Sequence, residues 1–397
     1  RGHRFIKVHF YGGDLLFWGK DHAINYNRTL DELPAFYQAI IEEYQITDIV
    51  LFNDCRPVHR PAIELAEQLG LDLFVMEEGY LRPHWINLEW GGMNGYSYLS
   101  TEADWYRQQA AKLPDTPPQE PVGGAQPLRT RHDLLNTAAI YLYFYKFFRY
   151  RTHRPYPILI EYLFWAKRLA ALKYRKKQAQ QKVEWLKQNK LPYFLFPLQL
   201  DTDVQIRLHF AQGGMKNCIN KVMQSFSVHA PATSLLLIKN HPLDNGMINY
   251  RRLIAETASQ LSISERVIFI DGGDLEQIIK HSQGVVLINS TVGFTTLELM
   301  KPLITLGKAI YDLPGLTFQG KLDTFWSNPP DVDETLWQDV RKVIMHHTMA
   351  NGNFFTDRGI ELAIQNVIER LEIKGCPYGD LPPAPRKAVE PPNRLSP

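Results

Sequence analysis

Four short polar runs each follow a stretch of strand character, and their residue types could act on a phosphate or a sugar. In Asn289-Ser290-Thr291-Val292-Gly293, two hydroxyls stand between the run Gly284–Asn289 and a helical stretch over Thr295–Met300. Hydroxyls and free backbone N–H groups at a helix start attract anions, so phosphate is the expected guest; the alternative is an N-cap with no ligand. In Lys239-Asn240-His241-Pro242 an imidazole follows the run Ser234–Lys239 and could contact a phosphate or protonate a leaving oxygen. Alone, a His-Pro pair is a turn; its weight comes from standing one βαβ unit before the Ser-Thr run. In Gln199-Leu200-Asp201-Thr202-Asp203, two carboxylates two residues apart could supply a nucleophile or general base at an anomeric carbon, or cap a helix. In Glu77-Glu78-Gly79-Tyr80-Leu81-Arg82, adjacent buried carboxylates would repel, raising one pKa as an acid/base group requires. Gly79 permits a tight turn and Arg82 could bind an anion, although a surface Glu–Arg pair would look the same.

These runs need strands that end where the runs begin. Residues 4–10 alternate as a strand and break into a Gly-rich loop at Gly12-Gly13-Asp14. A helix is expected over 30–44, buried parallel strands over 48–52 and 72–76, and a helix near 61–69 between them. After a Pro- and Gly-rich exposed loop over 113–126, a second strand–helix series starts at Leu191, with strands over 192–197, 234–239, 266–271 and 284–289. Such alternation predicts an α/β protein with parallel sheets and ligand groups at the carboxyl ends of the strands. The expected division is residues 1–190 and 191–330 as two domains, helices over 331–376, and a tail over 377–397. Seven prolines predict that this tail is disordered or packs as a strap.

At 397 residues the chain has room for two or three domains, and 45% hydrophobic residues exclude wholesale disorder. The formal charge of +2 excludes a uniformly basic protein that coats nucleic acid. That average hides a segregation: residues 129–190 carry 15 Lys and Arg against 3 Asp and Glu, leaving the remainder at −10. The stretch Tyr141–Trp165 adds eleven aromatics, and helices are expected through 129–190, the second over 159–187. Three scattered cysteines, Cys55, Cys218 and Cys376, indicate neither a disulfide framework nor a zinc site and fit a reducing compartment. The apolar run Leu134–Tyr145 has 12 residues, short of the ~18 of a spanning helix.

The runs Phe10–Trp18, Glu77–Pro83, Glu89–Gly95, Pro197–Asp203, Lys239–Pro242, Asn289–Phe294 and Gly307–Thr317 together resemble the capsule polysaccharide biosynthesis and export family, in particular its β-Kdo transferases. The resemblance implies a GT-B glycosyltransferase: two Rossmann-like domains with an interdomain cleft and C-terminal helices. It implies a first domain that mainly binds the acceptor, with Gly13, Asp14, Glu77, Arg82 and Asn94 as substrate residues, joined by Gln199 of the second domain. CMP-β-Kdo would lie on the second domain, its phosphate held by Lys239, His241, Ser290 and Thr291. Glu298 would bind ribose, because Thr295 occupies the position where relatives carry Glu. Asp203, or Asp201, matches the family's nucleophile. Glu78 matches an acid that is Asp in relatives, and would deprotonate the acceptor. The implied reaction retains configuration and needs no metal or cofactor beyond the donor. A phosphatidylglycerol or lyso-phosphatidylglycerol acceptor is implied, with the basic aromatic segment on the inner-membrane surface. The setting would be cytoplasmic and peripheral, with a capsule synthesis and export complex as a further partner and no nucleic acid. The competing readings are a polyol phosphotransferase of teichoic-acid type and a non-catalytic export adaptor.

Overall fold

The computed structural model describes residues 2–116, 119–149, 158–201, 213–378 and 393–395. The chain divides into two units: Arg1–Gly92 with Pro118–His153 and Thr348–Pro377, and Met93–Pro117 with Arg154–His347 and Tyr378–Pro397.

In the first unit β1 (Lys7–His9) pairs in parallel with β2 (Ala23–Asn25), and α1 (Gly12–Trp18) lies between them in sequence. The expected glycine-rich loop is thus the first turn of a helix. Its glycines serve proximity: a Cβ at Gly12 would stand 2.0 Å from the Ala139 carbonyl oxygen, and one at Gly13 1.8 Å from Asn136 Oδ1. Both neighbours belong to α5 (Gln126–Leu142), so the two helices cross at backbone distance. After α2 (Leu33–Tyr44), a separate sheet has the order β11-β5-β4-β3, from Met349–Asn351, Trp85–Trp90, Asp72–Glu78 and Asp48–Phe52. Strands β3 and β4 are parallel, joined through α3 (Arg60–Leu69), but β5 runs antiparallel to both β4 and β11. The sheet is therefore mixed, not all-parallel as expected. Strand β5 escapes the sequence pattern because Asn87 and Glu89, both wholly buried, alternate with Ile86 and Leu88. Their partners come from outside the strand: the Tyr80 N–H donates to Asn87 Oδ1 and the Tyr80 hydroxyl to Glu89. Strand β3 is an edge, with Val50 and Phe52 exposed. On the sheet, Ala363 and Val367 of α13 (Asp357–Leu371) pack with Phe74, Ile86 and Leu88.

The second unit is built on five parallel strands in the order β10-β9-β6-β7-β8. They are Leu303–Thr305, Gly284–Leu287, Tyr193–Pro197, Leu235–Lys239 and Val267–Ile270. Unbroken apolar runs suit a sheet covered on both faces. Phe194, Phe196, Ile238 and Val286 pack with Met215, Ile219, Val222 and Phe226 of α7 (Gly214–His229). The sequential connections run through α7, α8 (Tyr250–Gln260), α9 (Leu275–Lys280) and α10 (Val292–Glu298).

The boundaries differ from those expected. The helix expected over 159–187 is α6 (Ile158–Gln188), and it belongs with the second unit, as do α4 (Ala103–Lys112) and nearly all of α12 (Glu334–Thr348). Residues 348–377 return to the first unit, so the C-terminal helices are shared rather than separate. The start of the second strand–helix series placed a boundary at 190, whereas Arg175 and Lys182 of α6 reach Asp271 Oδ2 and the Phe269 carbonyl in the second unit. Most of the Pro-rich tail lies outside the described residues, but residues 393–395 pack against the second unit. Buried Arg394 donates to the Thr305 carbonyl and hydroxyl, Asp312 and Gln319, and Leu395 enters the core. The described residues of the expected loop before α5, 113–116 and 119–125, have no regular structure, yet Val122 is buried and its carbonyl accepts from Thr356 Oγ1.

Gly12→Ala should lower the unfolding free energy by roughly 1–3 kcal/mol, read from the urea midpoint, because the clashing atom is a helix carbonyl that cannot rotate away.

Candidate functional site

In the second unit strand order reverses between β6 and β9, with β7 and β8 added on one side and β10 on the other. In doubly wound sheets the loops leaving such a pair of strands diverge to opposite faces, and ligands bind at their carboxyl ends. Gln199 and Asn289 bridge the loops there. Gln199 Nε2 donates to Asn289 Oδ1 at 3.0 Å, and the Asn289 N–H donates to Gln199 Oε1 at 3.1 Å. The amide expected to meet substrate is therefore 6% exposed and braces two loops. Asp201 Oδ1 accepts from the Met215 N–H at 2.9 Å, the helix-capping role named as its alternative. Asp203 lies outside the described residues.

Lys239 ends β7, opposite Pro197 on one side and Ile270 on the other. Its side chain is buried, and its ammonium makes no hydrogen bond or ion pair among the described residues. Burial pulls its pKa below that of an ordinary lysine; Asp271 acts in the opposite direction and Arg168 reinforces the fall. In the following loop the Asn240 Oδ1 accepts from the His241 N–H, and His241 Nδ1 accepts from the Leu243 N–H at 3.1 Å. A backbone N–H can only donate, so the neutral His241 ring carries its proton on Nε2.

The amides expected to be free beside Ser290 and Thr291 are engaged within the turn. The Val292 N–H donates to Ser290 Oγ, Gly293 to the Ser290 carbonyl, and Phe294 to the Thr291 carbonyl. With these three amides engaged, the pair of hydroxyls remains for a ligand. The turn is held from behind by Tyr311, whose hydroxyl donates to the Ser290 carbonyl at 2.6 Å. Burial keeps that phenol well above its ordinary pKa, hence a donor. Gly293 makes room for it, since a Cβ there would lie 2.3 Å from Tyr311 Oη. Glu298, expected at ribose, is exposed and pairs with Arg341 Nε at 2.7 Å.

In the first unit Glu77 and Glu78 are inside β4, not in a loop after it. Successive strand side chains point to opposite faces, so the mutual repulsion expected of these neighbours has no geometric basis. Glu77 accepts from Asn53 Nδ2 at 3.4 Å, whereas the Glu78 carboxylate is shared by Arg129 at 2.6 Å and Arg82 at 3.3 Å. Gly79 answers to a close approach, its missing Cβ lying 2.4 Å from the Trp85 carbonyl oxygen, and it has no left-handed φ. Asp14 Oδ2 accepts from the Phe10 N–H at 2.9 Å and fastens α1 to β1. Gly13, Asp14, Glu77 and Arg82 thus share one unit, while Asn94, at φ +51°, falls in the other.

A family model described as capsule polysaccharide biosynthesis protein matches residues 47–355, which include the β4 acids and all three strand-end runs of the second unit. The chain belongs to this family. It is 35% identical over 358 residues to the capsule polysaccharide export protein KpsS of Escherichia coli, covering 89% of this chain and 91% of that one. It is 33% identical over 364 residues to the capsule polysaccharide modification protein LipB of Neisseria meningitidis serogroup A, covering 88% and 85%. Among solved structures, Thermosulfurimonas dismutans KpsC, a β-Kdo 2,7 transferase, aligns over 93% of this chain and 99% of that one. The TM-score is 0.44 and the identity 11%.

For this capsule-family chain, sequence reasoning missed Arg168, Asp244, Asp271 and Tyr311. Asp271 carried a signal, a carboxylate closing an apolar run, but Arg168 sits among other basic residues of a helix and nothing local marks it. Part of the +12 segment is internal wiring: Arg168 and Arg175 pair with Asp271, and Lys187 donates to Gln277. Among the described residues no helix is long and apolar enough to cross a membrane, and no group of three His, Cys, Asp or Glu could hold a metal ion. The three cysteines form no disulfide.

Gln199→Leu should cost roughly 1–3 kcal/mol, because it strands the Asn289 N–H and Oδ1. Urea unfolding followed by far-UV circular dichroism would measure the loss.

Proposed function

We propose that this chain is a retaining β-Kdo transferase of GT-B type. It moves Kdo from CMP-β-Kdo to a phosphatidylglycerol or lyso-phosphatidylglycerol headgroup and starts the poly-Kdo linker of a capsular polysaccharide. The observation that carries the reading is Lys239, a buried lysine at the carboxyl edge of the second sheet whose ammonium makes no hydrogen bond or ion pair among the described residues. An isolated buried charge is costly, and an arriving phosphate offsets that cost. His241 Nε2–H and the Ser290 and Thr291 hydroxyls add donors for the same phosphate. Membership of the capsule family supplies the context, and its relatives are named for capsule export and modification.

In this reading the Asp203 carboxylate attacks C2 of Kdo as CMP leaves, with His241 Nε2–H hydrogen-bonded to the departing phosphate oxygen. The acceptor hydroxyl then attacks C2 and displaces Asp203, giving its proton to Glu78; two inversions retain configuration. Asp201 is the lesser candidate nucleophile because one of its oxygens caps α7. An anionic lipid acceptor at the cytoplasmic face of the inner membrane is supported by the first unit. There Tyr141, Leu142, Phe144, Tyr145 and Phe148 are each more than half exposed. Lys146 lies 5.8 Å from the Tyr143 and Tyr145 ring centroids, and Arg149 5.6 Å from that of Phe148.

Incubation with CMP-Kdo and a fluorescent lyso-phosphatidylglycerol should give a product heavier by Kdo; turnover of CDP-glycerol instead would overturn the reading. Intact-mass spectrometry without acceptor should find a Kdo adduct that disappears in Asp203→Ala. Lys239→Met should weaken CMP binding about 10-fold or more, an effect of at least ~1.4 kcal/mol. The lowered pKa fixes the pH sign. CMP affinity should fall as pH rises through a value below the ~10.4 of free lysine, and this alkaline limb should be missing in Lys239→Met. The same shift makes the folded state release the proton first, so burying Lys239 costs stability at neutral pH, and that cost fades as pH rises towards the ordinary lysine range.

A further inference from the structure

We infer that Arg168 is a positioning residue for the donor site, which holds the His241 loop in place and occupies the aspartates that would otherwise neutralise Lys239. The inference rests on the reading of the second unit as the CMP-binding one. Arg168 projects from α6, a helix whose basic residues look from the sequence like surface charge, yet it is only 3% exposed. Its Nη2 donates to Asp271 Oδ1 at 2.8 Å and its Nη1 to Asp244 Oδ2 at 3.3 Å. Nη2 also faces the backbone carbonyls of His241 at 3.3 Å and Pro242 at 3.5 Å. The planar guanidinium can span two carboxylates and two carbonyls at once, which the single ammonium of a lysine cannot.

Two consequences follow for the anion-facing groups. The first is geometric. The His241 carbonyl takes both Arg168 and the Asp244 N–H, while Asn240 Nδ2 donates to Asp244 Oδ2 and Asp271 Oδ1. The loop that orients the imidazole is therefore tied to the ends of β7 and β8 through one guanidinium. The second is electrostatic. Three cations, Arg168, Arg175 and Lys239, stand against two carboxylates, Asp244 and Asp271. Arg168 contacts both carboxylates and Arg175 takes the second oxygen of Asp271. Lys239 feels the Asp271 charge without contacting it. With Arg168 removed, the less neutralised Asp271 becomes a counter-ion for Lys239 and a repulsive neighbour for an incoming phosphate. Arg168 keeps that ammonium in reserve for the ligand.

The test uses the full-length protein, CMP as probe, titration calorimetry for affinity and hydrogen exchange for the loop. Arg168→Gln should weaken CMP binding about 10-fold or more and speed exchange at the Leu243 and Asp244 amides. Adding Asp271→Asn to Arg168→Gln should recover most of the lost affinity, a rescue that a purely structural role would not produce. Wild-type affinity in Arg168→Gln, or no recovery in the double variant, overturns the inference. If Arg168→Gln fails to fold, Arg168→Lys with and without Asp271→Asn carries the same comparison. If the wild type binds no CMP, the functional reading falls. Hydrogen exchange then decides the clamp separately, and unchanged Leu243 and Asp244 amides overturn it.

Discussion

A carboxylate at the end of an edge strand holds the second unit's site together. Asp271 follows β8, is buried, and satisfies its charge on two arginines from one helix and on the amide of Asn240. A buried carboxylate is tolerable only when paired and hydrogen-bonded. Meeting that condition fixes α6 against the sheet, orders the loop after β7, and leaves the neighbouring Lys239 with no hydrogen bond or ion pair among the described residues. Removing one partner of such a network costs far more than its net contribution to stability. The arrangement therefore defines geometry more than it adds stability.

The brace between Gln199 and Asn289 depends on the same sheet. Parallel strands whose order reverses bring the carboxyl ends of β6 and β9 side by side, and two amides close the gap with reciprocal bonds. Tyr311 supports the Ser290 turn from a later loop, and Arg394 ties the end of the chain to Thr305 and Asp312. Each support comes from a different part of the sequence. Tyr311 holds the hydroxyl-bearing turn, and Arg394 holds the strand and loop that follow it.

The first unit solves a different problem, the close approach of backbones. Gly12 and Gly13 let α1 cross α5, and Gly79 lets β4 turn towards Trp85. The Glu78 carboxylate then lies between Arg82 of the following loop and Arg129 of α5. The exposed aromatic cluster continues directly from the end of α5, so the helix crossing that positions Glu78's partner also presents that cluster.

The sequence by itself determined the α/β class, the strands of the second unit, the span of α6, and the family to which the strand-end runs belong. These follow from local patterns: unbroken apolar runs for two-faced parallel strands, and polar residues where those runs stop. Tertiary structure alone decided which polar residues are supports and which are left over for a ligand. Gln199 and Asp201 became a brace and a cap, Glu298 became Arg341's partner, and Arg168 became an internal clamp, while the Lys239 ammonium has no partner among the described residues. It also decided that β5 runs antiparallel and that α6 belongs with the second sheet. The physical reason is common to all of these. A residue's type states what bonds it can make, but a buried donor or charge takes its partner from whatever the fold brings within about 3 Å. Those partners lie tens to hundreds of residues away in the chain.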